Sequence, residues 1–201
     1  MLIFMTKPQA NEALILGILD DANVPETVRL LGVRGYRRDT MGRPGVNDVG
    51  CWDDAMFLCA PGVFLAVNAN TDPSRLGWNP GVGKPYAMLM PGLWYFRRGP
   101  HKGKTPALRQ CTDEEADERG IPNDGEFEVL RCWGEDDPRN YKETGYFAIN
   151  VHRGGDTGTS SWGCQTIPPD DFDDFMAAVW EASKKAGQNR IPYLLIEGPI
   201  T

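Results

Sequence analysis

Residues 147–167 read FAINVHRGGDTGTSSWGCQTI, and the reading of this stretch decides the fold. Its first six residues alternate. Phe147, Ile149 and Val151 fall on one face of an extended segment, and Ala148, Asn150 and His152 on the other. After a Gly/Thr/Ser-rich loop, Cys164 to Ile167 starts a second short β-like run. Two adjacent strands joined by such a loop would bring His152 and Cys164 side by side. A thiolate is the nucleophile in cysteine chemistry, so a reactive Cys needs a group that takes its proton, and histidine is the usual one. The chain has two histidines, His101 and His152. Pairing with His152 predicts a Cys164 thiolate well below the free-cysteine value of about 8.5. Backbone amides near Gly163 and Cys164 would then receive an oxyanion. The same residues admit a plainer reading, with Cys164 a small buried hydrophobe and His152 a strand-end residue bonded to a turn.

The connecting loop also holds Asp156-Thr157-Gly158-Thr159-Ser160, which looks like the nucleophile loop of an aspartic protease. Those enzymes need two carboxylates about 3 Å apart that share one proton. The chain has no second Asp-Thr/Ser-Gly, and Arg153-Gly154-Gly155 separates Asp156 from its strand. Asp156 therefore reads as a turn residue bonded to its own backbone.

Downstream, Phe172, Phe175, Met176, Val179 and Trp180 recur at helical spacing and predict a helix over 170–186, with Asp170 as its cap and Gly187 as its stop. Tyr193 to Ile196 reads as a last strand. Upstream, Leu14, Ile15, Ile18 and Leu19 predict a short helix over 11–21. Thr27 to Tyr36 reads as a strand and turn, and residues 37–47 as a loop. Ala55 to Cys59 and Val63 to Val67, around Pro61-Gly62, read as a hairpin. Residues 68–84 read as one long loop. Leu93 to Phe96, Ala107 to Gln110 and Phe127 to Cys132 read as further strands, and 111–125 as an exposed acidic connection. The sum is a single domain over 1–201, mainly β with flanking helices (α+β).

Composition narrows the functions. The net charge is −7, which gives no electrostatic footprint for nucleic acid and no attraction to anionic membranes. No apolar stretch approaches the length of a membrane span. Met1 to Pro8 is too short and too uncharged for a signal peptide, so synthesis in the cytoplasm without a leader is expected. Five cysteines at irregular spacing argue against a disulfide scaffold, and without a C-x-x-C pair against a zinc ribbon. Cys51, Cys59, Cys111 and Cys132 read as core.

His152-Arg153-Gly154 followed by Ser161-Trp162-Gly163-Cys164 resembles the active-site signature of the L,D-transpeptidase (YkuD-like) family. The resemblance covers about residues 147–180. It implies a β-sandwich or barrel catalytic fold and peptidoglycan stem peptides as substrate. It makes Cys164 the nucleophile, His152 the general base, Ser161 a loop-shaping residue and Gly163 a point of close substrate approach. No cofactor and no metal are implied. The family pattern has His where Trp162 stands, and Arg or Asn soon after the Cys, where Gln165 and Thr166 stand. Hydrolysis of stem peptides is therefore expected ahead of cross-linking. A protein of this kind without a leader looks like a phage or prophage lysis protein or a delivered effector, acting on the wall after release. His101, Arg153 and Gly154 are candidates for contacting substrate or supporting the catalytic pair. Two alternatives stay open: a zinc peptidase built from His101, His152 and Asp156, and a non-catalytic wall-binding or virion structural module.

Overall fold

The computed structural model describes residues 6–38, 45–110 and 125–200. The expected acidic connection over 111–125, with Cys111, lies almost entirely outside the described residues, as does the tip of the loop over 37–47. Within them the chain is mainly β, with two helices.

The first helix, α1 (Glu12–Asp21), starts where Asn11 accepts the Leu14 N–H through its side chain. It buries Ile15 and Leu19. Strand β1 (Arg29–Arg34) follows, then the hairpin of β2 (Asp54–Ala60) and β3 (Val63–Ala69). Pro61 and Gly62 make its tight turn, with Gly62 at φ 73°. Next come β4 (Trp78–Asn79), β5 (Lys84–Leu89), β6 (Gly92–His101), β7 (Thr105–Arg109), β8 (Phe127–Cys132) and β9 (Tyr141–Gly145). The chain ends with β10 (Asn150–Arg153), β11 (Gln165–Ile167), α2 (Pro169–Lys185) and β12 (Arg190–Glu197).

Eight strands form one sheet in the order β11-β10-β7-β6-β12-β1-β2-β3. Its two outer strands meet again. Asn70, just past β3, exchanges backbone hydrogen bonds of 2.8 Å with Thr166 on β11, so the sheet is nearly closed and barrel-like. A four-stranded sheet, β4-β5-β8-β9, packs beside it. Side-chain alternation gives the main sheet two apolar faces. On one, Leu30, Met56, Val67, Val151, Ile167 and Tyr193 pack with Phe172, Phe175, Met176 and Val179 of α2. On the other, Leu31, Val33, Ala55 and Phe57 receive α1. None of the helices among the described residues is long and apolar enough to cross a membrane.

Several boundaries differ from expectation. The expected strand over 147–152 pairs only from Asn150. The reason is Gln110, whose Oε1 accepts the N–H groups of Phe147 (3.0 Å) and Ile149 (3.3 Å), taking that backbone off the ladder. Phe147, Ile149 and Val151 pack against the core, and all of 147–150 together with His152 border a cavity. Helix α2 starts one residue early, because Pro168 and Pro169 set its first turn; Asp170 sits inside that turn and does not cap it. Strand β4 interrupts the expected loop over 68–84.

One contact ties the core to the loop before β11. Gly32 has no side chain, and the Tyr193 ring occupies that space: a Cβ there would lie 2.0 Å from the Tyr193 hydroxyl. The hydroxyl donates to Gln165 Oε1 at 2.9 Å. Gln165 in turn donates to the carbonyls of Thr71 and Gly163. Cys164 is thus held between two anchored neighbours.

Candidate functional site

β10 and β11 pair in parallel, with Val151 opposite Gln165 and His152 opposite Thr166. Asn150, His152, Cys164 and Thr166 therefore share the face turned away from the α2 core. The Asn150 backbone amide is among the groups that favour the Cys164 thiolate. The Cys164 thiol lies 3.8 Å from the Ala148 carbonyl, its acceptor. These groups open into a cavity of about 710 Å³ whose walls include His101, Lys102, Arg109, Tyr146, Ala148 and Trp162.

His152 is fixed through its own strand. Its Nδ1 lies 2.6 Å from the Arg153 carbonyl, which can only accept, so Nδ1 carries the proton and Nε2 is left as a base. His101, at the end of β6, stacks on the His152 ring with centroids 4.2 Å apart and planes 17° apart. Asn150 holds it there, with Nδ2 3.1 Å from His101 Nδ1. Burial pushes His152 down to about 4, against the pull of the Arg153 carbonyl; His101 and Lys102 lower it further. Burial also lowers His101, helped by Lys102 and Arg109.

Backbone strain concentrates at this cavity. Lys102 (φ 49°), Ala148 (φ 54°) and Ser160 (φ 56°) are side-chain-bearing residues in the left-handed region, and all three line it. Such conformations cost about 1–3 kcal/mol each and persist where surroundings enforce them, commonly at functional sites. Gly163 is required at φ 137°, since a Cβ would lie 2.3 Å from the Ala87 carbonyl oxygen.

Ser161 braces the loop. Its hydroxyl donates to the Cys164 carbonyl (2.7 Å) and accepts the Gly163 N–H (3.0 Å). Ser74 anchors it from the other side, accepting the Ser161 N–H at 2.7 Å and donating its own N–H to the Ser161 carbonyl at 2.8 Å. The Gly163 amide, expected to face an oxyanion, is therefore turned to Ser161 instead. Trp162 lies 62% exposed on the rim, against Gly81.

Of the remaining candidates, His101 belongs to the cavity wall and two others stand apart. Arg153 points outward and pairs with Asp156 at 2.7 Å; it serves His152 only through its carbonyl. Gly154 packs under Trp52, where a Cβ would meet the indole at 2.2 Å, and does not line the cavity. His101, His152 and Asp156 do not converge as a ligand set, because the two imidazoles lie face to face and Asp156 is exposed beside Arg153. Cys59 and Cys132 are buried, with thiols pushed up by that burial, whereas Cys51 is only half-buried. Asn150, Ala148 and Lys102 were missed. Asn150 shares a strand face with His152 and Lys102 adjoins His101, so position in the sequence held the signal for both.

The expected low-pKa thiolate is reversed. Burial pushes the Cys164 thiol up to about 11, opposed by the Asn150 N–H and the Lys102 ammonium. At rest the thiol and the imidazole are both neutral, since burial disfavours the charged form of each. Alkylation of Cys164 by a small neutral reagent is accordingly expected to be slow at pH 7 and to climb with pH toward a midpoint near 11. Peptide mapping across a pH series reads this directly. A plateau reached below pH 8.5 would restore the ion pair.

No family model, curated protein or solved structure matches the chain.

Proposed function

We propose that the protein is a cysteine enzyme that cleaves amide bonds in peptidoglycan stem peptides through a thioester, in the manner of the L,D-transpeptidase-like family its signature resembles. One observation carries the reading. His152 and Cys164, twelve residues apart, line one strained cavity from the paired β10 and β11 segments.

The protonation states define the course of the reaction. Because the thiol is neutral, the proton leaves as the sulfur attacks. Cys164 Sγ bonds to the carbonyl carbon while His152 Nε2 takes its proton. The Arg153 carbonyl stabilises the imidazolium by holding Nδ1–H. The tetrahedral intermediate collapses, the C–N bond breaks, and the imidazolium proton passes to the leaving amine. Water then attacks the thioester, giving its proton to His152; the thiolate leaves and recovers that proton. The net change is peptide plus water to acid plus amine. His152 stays in the basic form down to about pH 4, so falling pH removes activity only as it passes through that value.

Mass analysis of defined stem peptides after incubation tests the reading. Products heavier by one water across the cleaved bond are expected, with cross-linked dimers in the minority. Intact peptides, at protein concentrations where the cavity is saturated, would defeat it.

A further inference from the structure

A group of carboxyls outside the cavity has no part in the cysteine chemistry. Asp53, just before β2, and Asp54, its first residue, are fully buried, and Asp72, just past β3, is buried with them. The buried cation facing them is Arg34 on β1, whose Nε lies 2.8 Å from Asp72 Oδ1 and whose Nη1 also reaches Glu197. Three ionised carboxylates against one guanidinium would leave negative charge unmatched out of water, which costs more than taking up a proton. Hydrogen bonding says where that proton goes. Both oxygens of Asp54 accept backbone N–H groups, from Gly35 and Thr71. Asp72 is held by Arg34 and by the Asn47 side-chain amide. Asp53 Oδ2 accepts the Asp48 N–H at 2.9 Å, but its Oδ1 is buried with no hydrogen-bond partner among the described residues. Asn47 Oδ1 and Asn70 Oδ1, on side chains bonded to Asp72, are also buried without a donor. The group is short of donors, and an O–H on Asp53 supplies one.

We infer that this group is a proton-operated latch on the seam between β3 and β11, with the proton carried by Asp53. A charged Asp53 is repelled by Asp72. The Asp72 carbonyl holds Asn70 through its Nδ2, and Asn70 makes the backbone pair with Thr166 that closes the sheet. Thr71, between them, gives its N–H to Asp54 and accepts from Gln165, the neighbour of Cys164. Loss of the proton therefore weakens both the seam and the anchor of the thiol loop. Burial pushes Asp53 up to about 6, against the backbone N–H groups of Asp48 and of Asp53 itself; the Asp72 and Asp48 charges raise it further. The other charged and titratable groups around the cluster are Arg34 from β1, Asp54 from β2, and Tyr193 and Glu197 from β12. Arg37 gives its backbone N–H to the Asp53 carbonyl, and Arg38 pairs with Glu197. Because the folded value of Asp53 is raised, its proton stabilises the fold fully below the ordinary 3.8, and that contribution is lost as pH rises through about 6. His152 and His101, whose folded values are lowered, act in the opposite sense, weakening the fold as pH falls below 6.5.

Comparing wild type with Asp53→Asn protein cancels the histidine contribution. Asparagine keeps an acceptor for the Asp48 N–H and puts a permanent donor where the proton would be. Urea titrations across the range from pH 4 to pH 8 give the ratio of the two folding constants, wild type over variant. That ratio is expected to fall by about fortyfold and to level off above about pH 7. Amide hydrogen exchange at Asn70 and Thr166 locates the effect, and their protection relative to the variant should fall over the same range. A ratio that stays constant with pH, or unchanged relative protection at both amides, overturns the latch. Should Asp53→Asn protein fail to fold, the Asp53 carboxyl is titrated in the wild type by carbon-detected NMR. A midpoint above about 5 upholds the latch, and a lower one overturns it.

Discussion

Cys164→Ala protein is expected to lose stem-peptide turnover by about a thousandfold or more while unfolding at close to the wild-type denaturant midpoint. In the proposed mechanism Cys164 forms the thioester. Residual activity would come only from substrate positioning. Stability should hold, because alanine fills a space already open on one side and the loop is anchored through Ser161 and Gln165, not through the sulfur. Both readings come from one preparation: turnover by product mass, stability by urea titration. Wild-type turnover in this variant would end the cysteine mechanism. An equal loss in Asp156→Asn would revive the aspartate, although its exposed pairing with Arg153 gives no sign of a catalytic role.

Arg34→Met should destabilise the fold by about 3–5 kcal/mol, the usual result of removing one partner from a buried charge network. Arg34 is 3% exposed. Its Nε lies 2.8 Å from Asp72 Oδ1, and its Nη2 donates to the carbonyls of Thr71 (2.9 Å) and Leu89 (2.8 Å). Asp72 is itself 1% exposed, and Asp54, fully buried alongside, has a carboxyl pushed well above its usual range by that burial and by Asp72 and Asp53. Without the guanidinium, a buried carboxylate and two backbone carbonyls lose their counterpart. The damage should reach the site, since the Thr71 carbonyl also receives Gln165, the neighbour of Cys164. Urea titration should show the midpoint falling with little change in slope. A loss under about 1 kcal/mol would mean that this network contributes little to the fold.

The sequence made the site easier to see than the sheet around it. His152 and Cys164 were legible because alternation fixes which residues share a face, and a glycine-rich loop between two short β runs brings neighbouring strands together. A barrel was among the folds the family resemblance implied, but the closure was not legible in the residue pattern. It depends on Asn70 meeting Thr166, a backbone contact that side-chain pattern does not encode. β9, with the sequence Tyr-Lys-Glu-Thr-Gly, escaped notice because a polar edge strand has no apolar alternation. The thiol was misjudged for a different reason. Motif spacing places a histidine near a cysteine, but the direction of both pKa shifts is set by burial, which comes from how β6, β10 and the loop over 154–163 close around them. His101 illustrates the limit. Its stack on His152 joins residues 51 positions apart through the order β6-β7-β10, and no local pattern announces it.

The central claim is that Cys164 becomes acylated with His152 as its base, and rapid acid quenching followed by mass mapping of the protein tests it most directly. During steady-state turnover of a stem peptide, a fraction of wild-type chains should carry the acyl fragment, confined to the peptide containing Cys164. In His152→Ala protein that adduct should form at least a hundredfold more slowly. Turnover without any acyl mass on Cys164, or acylation at the wild-type rate in His152→Ala, would contradict the account.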